Sequence, residues 1–179
     1  MKAGTLSVFV ARVDAAEFGI CRMLNALSHH PPVRRVFQVI SRLGDGVLWY
    51  AVLLALPVLR GRAGVRPALV MALTGFAGVV IYKLLKRTLV RERPFITHSG
   101  ISLHGAPLDR YSFPSGHTLH AVAFTWQAVA HFPELGWVLV PFTSLVAASR
   151  VVLGLHYPTD VLVGAVLGGM LAQMGLALG

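Results

Sequence analysis

Acidic side chains are scarce in this chain: 7 Asp and Glu stand against 16 Lys and Arg in 179 residues, and the four charged types together make up only 13%. A soluble domain carries about a quarter charged residues. That shortage, beside 55% hydrophobic residues, excludes an ordinary soluble domain and points to a membrane protein. There is one cysteine, Cys21, so an intramolecular disulfide and a multi-cysteine metal site are both excluded. Low-complexity tracts, long linkers and repeats of about 20 to 50 residues are missing too, which leaves a single membrane-embedded domain over residues 1–179. The N-terminus lacks the unbroken apolar stretch of a signal peptide, because Arg12, Asp14 and Glu17 interrupt it.

What is present is a series of uncharged runs, from Gly46 to Leu59, Pro67 to Tyr82, Tyr111 to Pro133, Leu135 to Ser149 and Val161 to Gly179. They predict an all-α polytopic transmembrane helical bundle of five spans over residues 33–179. Several runs fall short of the ~20 apolar residues needed to cross hydrocarbon, so their ends extend through snorkelling Arg or through residues buried inside the bundle. Leu6, Val10, Val13, Ile20, Leu24 and Leu27 recur at helical spacing, with Arg12, Arg22 and Asn25 off that stripe. This predicts an amphipathic interfacial helix over residues 6–28; a poorly apolar sixth span is the alternative.

Consecutive spans alternate direction. The loop carrying Arg60, Arg62 and Arg66 therefore shares one face with the turn from His131 to Leu135, and the opposite face collects three polar clusters. The first is "KLLKRTLVRERPF". Charges there must reach water, headgroups or a bound anion, since mid-membrane placement costs roughly 2.5 to 3.5 kcal/mol. Lys83, Arg87 and Arg91 are accounted for by interfacial snorkelling. Pro94 turns Arg93 out of helical geometry, so Arg93 can fold back over the bundle mouth and clasp one anion together with Lys86.

The second cluster is "RYSFPSGH". Ser115 is a good N-cap and Gly116 allows close approach of the backbone, so the helix start is a seat for an anion. His117, in the first turn, suits a general acid. His120 lies one turn on and could join it on a metal, but no third ligand stands nearby and a packed or hydrogen-bonded role is the alternative. The third cluster is "SRVVLGLHYPTD", in which Arg150 ends one span and His156 and Asp160 lie four apart. A hydrogen bond between them would fix the tautomer of His156 and free its other nitrogen to attack an electrophile. Three cations, a helix N-terminus and two histidines on one face suit phosphoryl transfer.

At these residues the sequence resembles the type 2 phosphatidic acid phosphatase superfamily, whose signature is K-x6-R-P, P-S-G-H and S-R-x5-H-x3-D. The parts read Lys86 to Arg93-Pro94, then Pro114-Ser115-Gly116-His117, then Ser149-Arg150 with His156 and Asp160. The resemblance implies a lipid phosphatase in which His156 forms a phosphohistidine, Asp160 orients it and His117 protonates the leaving group. Lys86, Arg93, Ser115, Gly116 and Arg150 would hold the phosphate. No metal and no cofactor are implied.

Within the superfamily, the small size and the segment "LSHHPPVRRVFQVISRLGDG" resemble bacterial undecaprenyl diphosphate phosphatases, which implies an inner-membrane enzyme with its site on the external face. A phosphatase for phosphatidylglycerophosphate or for lipid A 1-phosphate is the alternative, and a non-enzymatic lipid-binding or transport protein is the alternative from another class. The positive-inside count favours the opposite orientation, because Arg34, Arg35, Lys83, Arg87, Arg91 and Arg110 lie on the polar-cluster face. The net charge of +9 sits at span ends, where lipid headgroups and substrate are the nearer partners, so no nucleic-acid partner is expected.

Overall fold

The apolar runs fold into helices because only a helix satisfies its own backbone groups in hydrocarbon. The structure, a computed structural model, describes residues 3–107 and 109–178, with side chains from Asp14 onward. Among these the chain forms α1 (Ala3–Ala26), α2 (Pro31–Arg42), α3 (Leu48–Arg60), α4 (Arg62–Thr88), the short α5 (Pro94–Thr97), α6 (Gly116–His131), α7 (Gly136–Val152) and α8 (Pro158–Leu178). α2 and α3 run on through a wide turn, Leu43–Val47, where Asp45 and Gly46 leave helical geometry.

Four stretches are long and apolar enough to cross a membrane: Pro31–Arg60, Arg62–Thr88, Pro133–Val152 and Pro158–Leu178. The remaining apolar run forms α6, whose 16 residues span about 24 Å at 1.5 Å each, short of a ~30 Å hydrocarbon core. It is the central helix. Leu119, Ala121, Ala123, Phe124, Gln127 and Ala128 are all buried, with α4, α7 and α8 packed around them.

Lipid offers no hydrophobic drive between helices, so close packing and interhelical hydrogen bonds hold such a bundle together. Trp49 of α3 meets Phe124 of α6 with ring centroids 5.6 Å apart. Gln127 Nε2 donates to Thr74 Oγ1 at 2.8 Å, and the hydroxyls of Thr125 and Thr143 lie 2.6 Å apart. Leu54, Val58, Leu73 and Trp137 face outward, as suits a surface against hydrocarbon. Arg60 pairs with Glu134, so the two loops expected on the far face meet there.

The N-terminal helix turns a different face inward from the one its apolar stripe suggests. Leu6, Val10, Arg12 and Val13 lie outside the described side chains. Further on, Ile20 and Leu27 are exposed, and the buried residues are Glu17, Cys21, Asn25 and Ser28. The reason is hydrogen bonding. Asn25 Nδ2 donates to the carbonyls of Ser102 and Val152, both at 2.9 Å, and its Oδ1 accepts from Ser102 N at 2.8 Å.

Candidate active site

α4 ends at Thr88, and the chain then runs extended. Ser112 N donates to Arg91 O at 2.8 Å, and Glu92 bridges Tyr111 in antiparallel fashion. This pairing, with Arg93 held extended ahead of Pro94, folds the Arg93 guanidinium back into the protein, where it is 1% exposed. Lys86 and Arg93 do clasp one anion, and it is Asp109. Lys86 Nζ lies 2.8 Å from both carboxylate oxygens, and Arg93 Nη2 lies 2.9 Å from Oδ1. Burial alone would raise the Asp109 carboxyl, but its bonds to Lys86 and Arg93 hold it below its ordinary value.

α6 begins as its sequence suggests. Ser115 is the N-cap, its Oγ accepting from Thr118 N at 3.5 Å and lying 2.9 Å from Thr118 Oγ1. Gly164 of α8 lies against the Ser115 carbonyl, where a Cβ would stand only 2.5 Å from that oxygen. Ser115 N donates to Asp160 O at 3.0 Å, which ties the start of α6 to the first turn of α8. His117 Nε2 lies 3.1 Å from Oδ1 of Asp45.

The third segment joins α7 to α8. Gly154 adopts φ 76°, and a Cβ there would stand 2.6 Å from Ser102 O, so the turn needs glycine. Beyond it the amides of Leu155 and His156 both donate to Arg150 O at 3.0 Å, and Arg93 Nη1 donates to Leu155 O at 2.9 Å. These bonds leave His156 Nε2 3.3 Å from Arg93 Nη1 and Nδ1 3.6 Å from Asp160 Oδ2. Burial first, then the charges of Arg150, Arg93 and Lys86, push the His156 imidazole well below its ordinary range. A neutral ring keeps a lone pair for attack.

Lys86, Arg93, Gly116, His117, Arg150 and His156 line one cavity of about 440 Å³, whose apolar wall is made by Trp49 and Leu53 of α3 and Phe76 and Val79 of α4. Two buried nitrogens in this region, Arg150 Nε and His156 Nδ1, have no hydrogen-bond partner. Such orphaned groups cost about 1–3 kcal/mol each and are tolerated chiefly where function needs them.

Six of the eight expected site residues therefore line the cavity. The other two stand behind it. Ser115 is fully buried and its hydroxyl is committed to the cap, so it fixes the start of α6 without forming the cavity wall. Asp160 is also fully buried, and 3.6 Å is too long for the expected hydrogen bond to His156. Its oxygens accept instead from Arg91 Nη1 at 2.9 Å and Tyr157 N at 2.8 Å.

Other expectations change with the geometry. Arg91 does not snorkel, because it joins Asp160 to Glu17, and Tyr157 is buried beneath its guanidinium, 3.9 Å from the ring centroid. Both ring nitrogens of His120 face carbonyls, Gly116 O at 2.8 Å and Gly75 O at 3.0 Å, which leaves none for a metal. Asp45 and Asp109 also line the cavity, and neither carries a sequence signal for a site. Asp45 sits between two glycines in "LGDG" and reads as a turn residue, as does Asp109 at the start of "DRYSFPSGH".

Two histidines, three cations and a helix N-terminus around one cavity, in an all-helical membrane bundle, define a membrane phosphoesterase. Residues 63–178 match the PAP2 superfamily, and the chain belongs to that family. It is 33% identical over 145 residues to "Undecaprenyl-diphosphatase BcrC" of Bacillus subtilis, covering 81% of this chain and 75% of the relative. Among solved structures, Aquifex aeolicus LpxE superposes with a TM-score of 0.77 at 27% identity, covering 89% of this chain and 93% of that one. A PAP2-type phosphatidylglycerolphosphate phosphatase from Bacillus subtilis gives 0.74 at 27% identity, covering 93% and 86%. The chain is a metal-independent hydrolase of this superfamily, acting on a lipid phosphate or diphosphate.

Proposed function

We propose that this protein removes a terminal phosphate from a membrane lipid through a phosphohistidine on His156. The observation that carries this reading is one cavity lined by both imidazoles and three cations, with an apolar wall from α3 and α4. Lys86, Arg93, Arg150 and the N-terminus of α6 at Gly116 neutralise the phosphoryl oxygens. Nε2 of His156 attacks phosphorus, the bond from phosphorus to the lipid oxygen breaks, and that oxygen takes a proton from His117. Water then attacks phosphorus and gives a proton back to His117. The nitrogen–phosphorus bond breaks, its electron pair returns to His156, and inorganic phosphate leaves. Asp160 and Ser115 hold the reacting parts from behind.

For the lipid, a phosphate monoester such as phosphatidylglycerophosphate or lipid A 1-phosphate is the reading we favour. Asp45 and Asp109 stand in the cavity beside the cations, where the second phosphate of a diphosphate would meet like charge. The phosphatidylglycerolphosphate phosphatase fold points the same way. Undecaprenyl diphosphate is the second reading, supported by the likeness to BcrC. Phosphate release from these lipids in detergent, with and without chelator, tests the choice. Faster release from undecaprenyl diphosphate than from either monoester rejects the first reading.

The site faces the outside of a bacterial inner membrane in this proposal. Ala106 is exposed on the cavity side and the native Cys21 is buried, so a cysteine at position 106 reports cleanly. Labelling by an impermeant reagent in intact cells is the expected result, and protection argues for a cytoplasmic site.

A further inference from the structure

A general acid set among cations has a difficulty that the signature residues do not solve. His117 shares its cavity with Lys86, Arg93 and Arg150, and positive charge around an imidazole favours loss of the proton it must deliver. A compensating negative charge is needed close by. His156 has Asp160 at 3.6 Å, and His117 has Asp45 at 3.1 Å.

The placement of Asp45 is built into the backbone. α2 and α3 do not join as one regular helix; at the wide turn Asp45 takes φ −82° and ψ 23°, and Gly46 takes φ 120°, a value that only glycine adopts without strain. A regular helix through these residues would carry the carboxylate elsewhere. Gly44, before it, packs against Val146 of α7 and fixes the turn in the bundle. The side chain of Asp45 is 45% exposed and lines the cavity, while that of His117 is 9% exposed.

We infer that Asp45 is the carboxylate partner of His117, forming a second histidine–carboxylate pair that keeps the leaving-group acid supplied with its proton. The inference rests on the acid role given to His117 above. Asp45 is a positioning residue in this scheme. It forms and breaks no bond to phosphorus; its negative charge works against burial and the surrounding cations, which favour the neutral ring, and after proton transfer it favours reprotonation by the attacking water.

The acid matters most where the leaving group is poor, which gives a readout that loss of structure or of phosphate binding does not mimic. The experiment compares a long-chain alkyl phosphate with an aryl phosphate of good leaving ability, using the full-length protein in detergent. Asp45→Asn is expected to lower kcat on the alkyl phosphate roughly 10- to 100-fold, with KM and the aryl phosphate rate changed less than about 3-fold. Asp45→Glu should recover much of the loss. In a His117→Asn background, Asp45→Asn should add little, because the group it serves is gone.

Equal loss on both substrates, or no loss on either, overturns the inference if His117→Asn still discriminates between them. Failure of His117→Asn to discriminate removes the acid role itself and the inference with it. Undiminished turnover by His156→Ala refutes the phosphohistidine reading separately.

Discussion

Arg91 reaches from beyond the end of α4 to Asp160 on α8, its Nη1 2.9 Å from Oδ1, so the carboxylate behind His156 is itself held by a cation. The other guanidinium nitrogen lies 2.6 Å from Oε2 of Glu17 on α1, and Glu17 Oε1 accepts from Thr159 N at 2.9 Å. Asp160 is fully buried and Glu17 nearly so. The N-terminal helix thereby braces the segment carrying His156 through two ion pairs.

Breaking that chain should weaken both stability and chemistry. Arg91→Ala leaves two buried carboxylates without their cation, a change that costs about 3 kcal/mol where one partner of a buried pair is removed. Thermal unfolding in detergent is expected to show a lowered midpoint, with a fall in kcat that exceeds any change in KM. Unchanged unfolding would mean that solvent already screens the pair.

Asp109 occupies Lys86 and Arg93 with its carboxylate, and it stays ionised until the pH falls below its ordinary value of 3.8. A phosphate arriving at those cations must compete with it. Asp109→Asn keeps the shape and removes the charge, so inhibition by inorganic phosphate should tighten by about tenfold, equivalent to ~1.4 kcal/mol. Equal or weaker inhibition contradicts a competing role.

The His156 imidazole stands well below its ordinary value of 6.5 because it is buried and then because Arg150, Arg93 and Lys86 surround it. A depressed value keeps the ring neutral as the pH drops through the ordinary range, and it gains a proton only further down. Nitrogen NMR of ring-labelled protein without substrate should show a neutral His156 at pH 6. A midpoint at or above 6.5 would contradict this environment.

The signature segments were legible in the sequence because each is contiguous and carries its own geometry: Pro94 turns Arg93, Ser115 caps α6, and Pro158 opens α8 beside His156. Alternating helices predict that the three segments share one face, and Lys86, Arg93, Gly116, His117, Arg150 and His156 line one cavity. What escaped were the carboxylates facing those groups. Asp45 meets His117 only because the chain leaves helical geometry at Asp45 and Gly46, between α2 and α3, and Glu17 meets Arg91 only because α1 buries its polar face. Local pattern predicts a turn or a surface charge at such positions; only tertiary packing pairs them. The run forming α6 is one of the five predicted spans; along its 16 residues the chain passes from the cavity side to the loop where Arg60 meets Glu134, packed among α4, α7 and α8.

The central claim is that one phosphoryl group passes through His156. Rapid acid-free quenching of the protein during turnover of a lipid substrate labelled in its terminal phosphate tests it directly. The label should stay on the protein in alkali, leave in acid, map to His156 by mass spectrometry and vanish in His156→Ala. Turnover with no protein-bound phosphate at any quench time, or label mapped to His117 with His156→Ala still active, would contradict the account.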